Sequence, residues 1–251
     1  MPRDDAMLAK VPALTLGFWV IKVLATTLGE TAGDAVSMSM HLGYLAGTGV
    51  FAALFAAAVA AQVAARRFHP ALYWTTIVAT TTVGTTLADY ADRSLGIGYA
   101  GGSTLLALML AGSLLAWKRS TGSIAADSVR SPRSEAFYWL TIMCSQTLGT
   151  ALGDWTADSA GLGYAGAAGV FGALLAVVGL AYVGRRVSRT TLFWVAFVLT
   201  RPLGAVVGDL LDKPAVAGGL ALDRVGASAV LLGLMLAGLL AFRQHAARTV
   251  H

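Results

Sequence analysis

The chain has 251 residues, 57% hydrophobic and only 12% charged, with a mean hydropathy of +0.70. Soluble domains carry about 25% charged residues, so this composition excludes an ordinary soluble protein and points to an integral membrane protein. The net charge of +5 and the single cysteine, Cys144, exclude little by themselves, although one thiol rules out an intrachain disulfide or a thiolate metal cluster.

Eight apolar stretches follow one another, at 13–36, 42–64, 71–91, 97–117, 136–157, 163–184, 190–211 and 225–242. Each is near the ~20 residues that span hydrocarbon as a helix, so the expected fold is all-α with eight transmembrane helices in a single membrane domain over 1–251. The first stretch contains Thr26-Thr27-Leu28-Gly29-Glu30-Thr31-Ala32-Gly33-Asp34. An ionisable group at membrane depth costs about 3 kcal/mol, and such groups face a bundle interior or a water-filled path. Glu30 and Asp34 are four residues apart and share a helical face, which Thr26 and Lys22 continue backwards turn by turn. No signal peptide is expected, because this stretch carries Lys22 and Glu30 and is one unit of a repeat.

The basic residues fall on one side. Of the 18 Lys and Arg, Arg93, Lys213 and Arg224 lie in alternate connections and Lys22 and Arg201 lie within helices. The other 13 run from Arg3 and Lys10 through the 118–135 connection to Arg248, all at the opposite helix ends. By the positive-inside rule both termini and that connection are expected to be cytoplasmic, so the basic excess reads as topology and no nucleic-acid partner is expected.

Four tryptophans set the register. Ten residues beyond Trp19, Trp74, Trp139 and Trp194 stand Gly29, Gly84, Gly149 and Gly204, and fifteen beyond stand Asp34, Asp89, Asp154 and Asp209. The anchors are 55, 65 and 55 residues apart, which describes a duplicated pair of units covering 13–64, 71–117, 136–184 and 190–242. Tyr44, Tyr99 and Tyr164 recur after a glycine at the start of each second helix, whereas the fourth unit breaks step at Lys213-Pro214 and Gly218-Gly219. Two helices per unit bring every unit into the membrane in one orientation, as parallel repeats about an axis along the membrane normal. The second helices are rich in Gly and Ala and nearly free of charge, so they are expected outside, with the first helices grouped around the axis. This pattern resembles a family of bacterial inner-membrane proteins built of four tandem two-helix repeats of unknown function, each marked by the tryptophan and its downstream glycine and aspartate. The resemblance covers about Phe18 to Leu240 and implies the repeat architecture and the bacterial inner membrane, but no activity.

Every fourth position from Trp plus three gives the axial stripes. They read Lys22, Thr26, Glu30, Asp34; Ile77, Thr81, Thr85, Asp89; Ile142, Gln146, Thr150, Asp154; and Phe197, Arg201, Ala205, Asp209. At 1.5 Å per residue Glu30 lies roughly 16 Å and the aspartates roughly 22 Å above the tryptophans, which are expected at the cytoplasmic interface. Glu30, Asp34, Asp89, Asp154 and Asp209 are the candidate metal ligands. Lys22, Thr26, Thr81, Thr85, Gln146, Thr150 and Arg201 are the supporting polar groups. Five carboxylates against Lys22 and Arg201 leave a surplus of three negative charges, to be met by cations or protons, and hard oxygen ligands without Cys or His suit a hard divalent ion. Asp92, Asp158 and Asp212 read as solvated helix ends, and the Met38-Ser39-Met40-His41 run as a loop.

The expected function is a proton-coupled secondary transporter that exports a hard inorganic cation of the Mn or Mg type. Its partners are the bilayer, the cation and protons; no covalent cofactor is expected, and homo-oligomerisation is left open. A cation-selective channel is the alternative, disfavoured because Lys22 and Arg201 would plug a pore, and a scaffold or sensor with an internally neutralised stripe is another. An intramembrane aspartyl enzyme is not expected, because the sequences before Asp34 and Asp154 lack the first glycine of Gly-x-Gly-Asp.

Overall fold

The structure, a computed structural model, describes residues 10–247; Arg3 and Arg248, counted above on the basic side, lie outside them. The described residues form eight α-helices and no sheet: α1 (Leu16–Asp34), α2 (Tyr44–Ala64), α3 (Pro70–Asp89), α4 (Tyr99–Thr121), α5 (Pro132–Asp154), α6 (Gly163–Gly184), α7 (Arg189–Asp212) and α8 (Arg224–Ala241). Local chemistry starts them. The side chains of Thr15, Ser131, Ser188 and Asp223 accept from backbone N–H groups in the first turns of α1, α5, α7 and α8, and Pro70 and Pro132 open α3 and α5. Gly43, Gly98 and Gly163 enter α2, α4 and α6 at φ of +78°, +75° and +63°, which explains the glycine found 24 residues after three of the tryptophans.

The odd-numbered helices form a closed ring, in which α1 touches α3 and α7, and α5 touches α3 and α7. The even-numbered helices lie outside, each against the first helix of the following unit: α2 on α3, α4 on α5, α6 on α7, and α8 back on α1. The packing unit is thus displaced by one helix from the sequence repeat. The tight connections at 65–69 and 185–188 make α2 and α3, and α6 and α7, antiparallel neighbours. α1, α3 and α5 instead end in a π-helical turn and a loop before the chain enters the next helix.

The glycines ten residues after each tryptophan close the ring. A Cβ on Gly29 would overlap Thr81, on Gly149 Arg201 and on Gly204 Thr26, and on Gly84 it would press tightly on the Gln146 backbone. At every interface the same position of one helix therefore receives the Trp-plus-seven residue of the next, and the missing side chain of glycine permits that approach.

Five helices, α2, α4, α6, α7 and α8, are long and apolar enough to cross a membrane. The other three are the threonine-rich, acid-bearing α1, α3 and α5. The most apolar window of α2 is 6% buried and that of α7 67%, which separates an outer layer from the inner ring.

The tryptophans are not surface anchors. Trp74, Trp139 and Trp194 are buried and Trp19 is half-buried, because each is preceded by another aromatic residue, Phe18, Tyr73, Tyr138 or Phe193, and the eight rings pack together with Trp117 where the odd helices begin. The Tyr73 and Tyr138 hydroxyls share a 2.7 Å hydrogen bond inside this plug. Two segments, 10–15 and 242–247, cover it: Pro12 pairs with Ala246 in an antiparallel bridge, and Gln244 accepts from the Trp74 indole. The connection is shorter than the expected 118–135, running from 122 to 131, and it is packed rather than free. Ala126 and Val129 are buried there, and the Ile124 carbonyl accepts from the Trp194 indole at 2.9 Å. Cys144 is a buried core residue, as its apolar setting implies.

Candidate functional site

Above the aromatic plug the axial stripes build the site in four levels. At the lowest, Lys22 shares its register level with Ile77, Ile142 and Phe197, all fully buried, and its Nζ lies 4.2 Å from the Phe197 ring centroid without a hydrogen-bond partner. One turn up come Thr26, Thr81, Gln146 and Arg201. Thr26 donates to the Thr200 carbonyl at 3.2 Å and Thr81 to the Ala25 carbonyl at 3.3 Å, so each hydroxyl ties its helix to the preceding one in the ring. Gln146 is fully buried and neither atom of its amide has a partner.

The third level holds Glu30, Thr85, Thr150 and Ala205. Here the Arg201 guanidinium rises from the turn below and occupies the axis: its NH2 lies 2.8 Å from Glu30 Oε2, 2.6 Å from Thr85 Oγ1 and 2.5 Å from Thr150 Oγ1. Four helices meet in this cluster. Ala205 is the one member too short to reach the axis, and Arg201 from the same helix takes that place. Glu30 is thus the partner of Arg201 and not of Lys22.

The fourth level brings the four aspartates to one end of the ring, all buried, and holds them in two pairs. Lys213 Nζ lies 2.5 Å from Asp34 Oδ2 and 3.0 Å from Asp209 Oδ1. Arg93 reaches Asp89 at 2.8 Å and Asp154 at 3.4 Å. Both cations stand nineteen residues after their tryptophans, and each joins the aspartate of its own unit to that of the next. The corresponding residues of the other two units, Met38 and Asp158, supply no cation. Burial alone would lower the Lys213 ammonium, but the Asp209 and Asp34 carboxylates outweigh it and hold the group above its ordinary value. It therefore stays charged through the physiological range.

Asp212, expected as a solvated end, is buried. It pairs with Arg224 at 3.1 Å, and carboxylate oxygens of Asp34, Asp209 and Asp212 lie within 4.8 Å of one another. Asp92 is buried against Gly102, whereas Asp158, Met40 and His41 are exposed. The sequence signal for Asp212 and Lys213 was their register: they repeat Asp92 and Arg93 at Trp plus eighteen and nineteen. The charge balance changes accordingly. Six carboxylates, with Asp212 included, meet Lys22, Arg201, Arg93, Lys213 and Arg224, so full ionisation leaves one negative charge in place of three.

Against known families, the model described as Repeat of Unknown Function (DUF347) matches four times in tandem, over residues 17–68, 72–123, 137–188 and 192–246. The chain belongs to this family. No curated protein and no solved structure matches it. Each DUF347 repeat begins beside its tryptophan, spans an odd helix and the even helix after it, and so contributes one stripe to the axis and one helix to the outer layer of a neighbouring repeat.

Proposed function

We propose that this DUF347 protein is a secondary transporter that exchanges a hard divalent cation, of the Mn²⁺ or Mg²⁺ class, for protons across the bacterial inner membrane, in the outward direction. The observation that carries the reading is the Asp34, Asp209 and Asp212 cluster with the Lys213 ammonium seated between two of its members. Asp34 Oδ1 and Asp212 Oδ1 are buried without a hydrogen-bond partner, so oxygen ligands remain free. With Arg224 and Lys213 the three carboxylates sum to one negative charge. Replacing Lys213 by a divalent ion brings the cluster to neutrality, and so does returning Lys213 together with one proton. Two neutral states that differ by a metal and a proton are what an antiporter alternates between.

In this reading all eight helices span the membrane about an axis along its normal, with both termini cytoplasmic. The four like-directed inner helices, the recurring glycine contact and the one-sided basic residues support that arrangement. The aromatic plug at one end and the Arg201 cluster across the axis favour a transporter over an open channel. The two bridged aspartate pairs favour, as a second reading, a scaffold whose charges are neutralised internally.

Mn²⁺ binding to the purified protein, followed by electron paramagnetic resonance, separates the two. Wild type is expected to bind, Asp212→Asn to lose at least about tenfold in affinity, and Lys213→Met to bind more tightly because the competing ammonium is gone. Absence of Mn²⁺ binding in both wild type and Lys213→Met would leave the scaffold.

A further inference from the structure

The inner half of the axis has the opposite character from the aspartate end. Lys22 is 0% exposed and its Nζ has no hydrogen-bond partner. Arg201 is likewise 0% exposed; its NH2 is engaged with Glu30, Thr85 and Thr150, but Nε and NH1 have no partner. Gln146, also fully buried, has a free amide N–H₂. Donors of three side chains from three helices are thus left without a hydrogen-bond partner, Lys22 on the first level of the ring, Gln146 on the second and two nitrogens of the Arg201 guanidinium on the third. They are linked through their neighbours: Phe197, beneath the Lys22 ammonium, is one turn before Arg201, and Thr150, beside the guanidinium, is one turn after Gln146.

Buried donors are normally satisfied, and a buried charge is normally compensated. We propose that a small monovalent anion of the chloride class binds on the bundle axis between Lys22, Gln146 and Arg201, on the plug side of the Glu30–Arg201 pair. The chemistry selects the ligand. With Lys22 protonated, two cations and one carboxylate leave this half one positive charge in excess, which a single monovalent anion neutralises, and a second cation would meet like charge. The Phe197 ring lies against Lys22 Nζ below, at the level that the buried Ile77 and Ile142 share by register, and the Arg201 cluster stands above, which favours a monatomic ion over a larger oxyanion. The site is separate from the Asp34, Asp209 and Asp212 cluster and does not depend on transport of a cation.

The test uses the full chain in detergent, at constant pH and ionic strength without divalent ions, with chloride replaced stepwise by gluconate. The unfolding temperature of wild type is expected to rise saturably with chloride. Lys22→Met is expected to abolish that dependence, and Gln146→Leu to shift its midpoint at least about tenfold to higher chloride, which is about 1.4 kcal/mol. Identical unfolding in gluconate and chloride, as hydration alone would give, overturns the proposal; so does an undiminished chloride response in Lys22→Met. Should that variant not fold, crystals of wild type in bromide decide the matter. Anomalous density within hydrogen-bonding reach of Lys22 Nζ and Gln146 Nε2 supports the site, and density only elsewhere refutes it.

Discussion

At the scale of single residues, the Glu30–Arg201 pair is the most consequential contact, since both side chains are buried and the guanidinium also holds Thr85 and Thr150. Removing one partner of a buried pair leaves an uncompensated charge and costs about 3 kcal/mol or more, whereas removing both costs less. Glu30→Gln is therefore expected to lower the unfolding temperature substantially, although its amide carbonyl can still accept from Arg201. Glu30→Gln combined with Arg201→Met should recover part of the loss. A thermal-unfolding cycle is expected to give a coupling energy of about 2 kcal/mol, and additivity would mean the two groups act independently. The stripe containing Glu30 was legible from four-residue spacing alone. The identity of its partner was not, because Arg201 belongs one level lower by sequence and reaches Glu30 through a long side chain that periodicity does not follow. Lys213 was hidden for a related reason: it lies in the loop where the fourth unit breaks step, and only the folded chain returns it to Asp34, 179 residues away.

At the scale of helices, the ring is held by close approach at four equivalent glycines, and their neighbours predict which substitutions matter. Gly149→Ala forces a methyl group into Arg201 and Gly204→Ala into Thr26, so each is expected to cost about 2 kcal/mol or more by overpacking. Alanine at Gly112 or Gly169, in the interior of the outer helices, meets nothing within 4 Å and should cost nothing, alanine's helix preference instead adding up to about 1 kcal/mol of stability. Equal losses at inner and outer glycines, measured by thermal unfolding, would show that the ring contacts do not hold the bundle. The repeat, the helix pairs and the inner and outer layers were all readable from composition and spacing. The offset between sequence unit and packing unit was not, since periodicity within a helix does not say which neighbour it meets, and α4 on α5 and α8 on α1 pack without a tight connection. The burial of the tryptophans follows from the residue before each one: a Phe-Trp or Tyr-Trp pair presents two rings on adjacent faces, and four such pairs at one end of a ring fill it rather than rim it.

At the scale of the whole molecule, the axis is polarised. The aromatic end, strapped by residues 10–15 and 242–247, leads to the half that holds Lys22 and Gln146, then to the Arg201 cluster, and then to an aspartate end where three carboxylates crowd together with one ammonium between two of them. A π-helical turn follows Asp34, Asp89 and Asp154 directly, while α7 continues as α-helix to Asp212, so the fourth repeat alone places a further carboxylate in line with the cluster. That asymmetry within a repeated frame distinguishes the cluster from a uniform acidic ring, as the proposed transport site requires. The most direct test is flux in proteoliposomes carrying an internal pH reporter, with Mn²⁺ applied on one side, for wild type, Asp209→Asn and Asp212→Asn. The account predicts Mn²⁺ movement accompanied by counter-movement of protons in wild type, and at least about tenfold slower movement of both in either variant. Wild-type vesicles that pass neither Mn²⁺ nor protons, or variants that transport as fast as wild type, would contradict it.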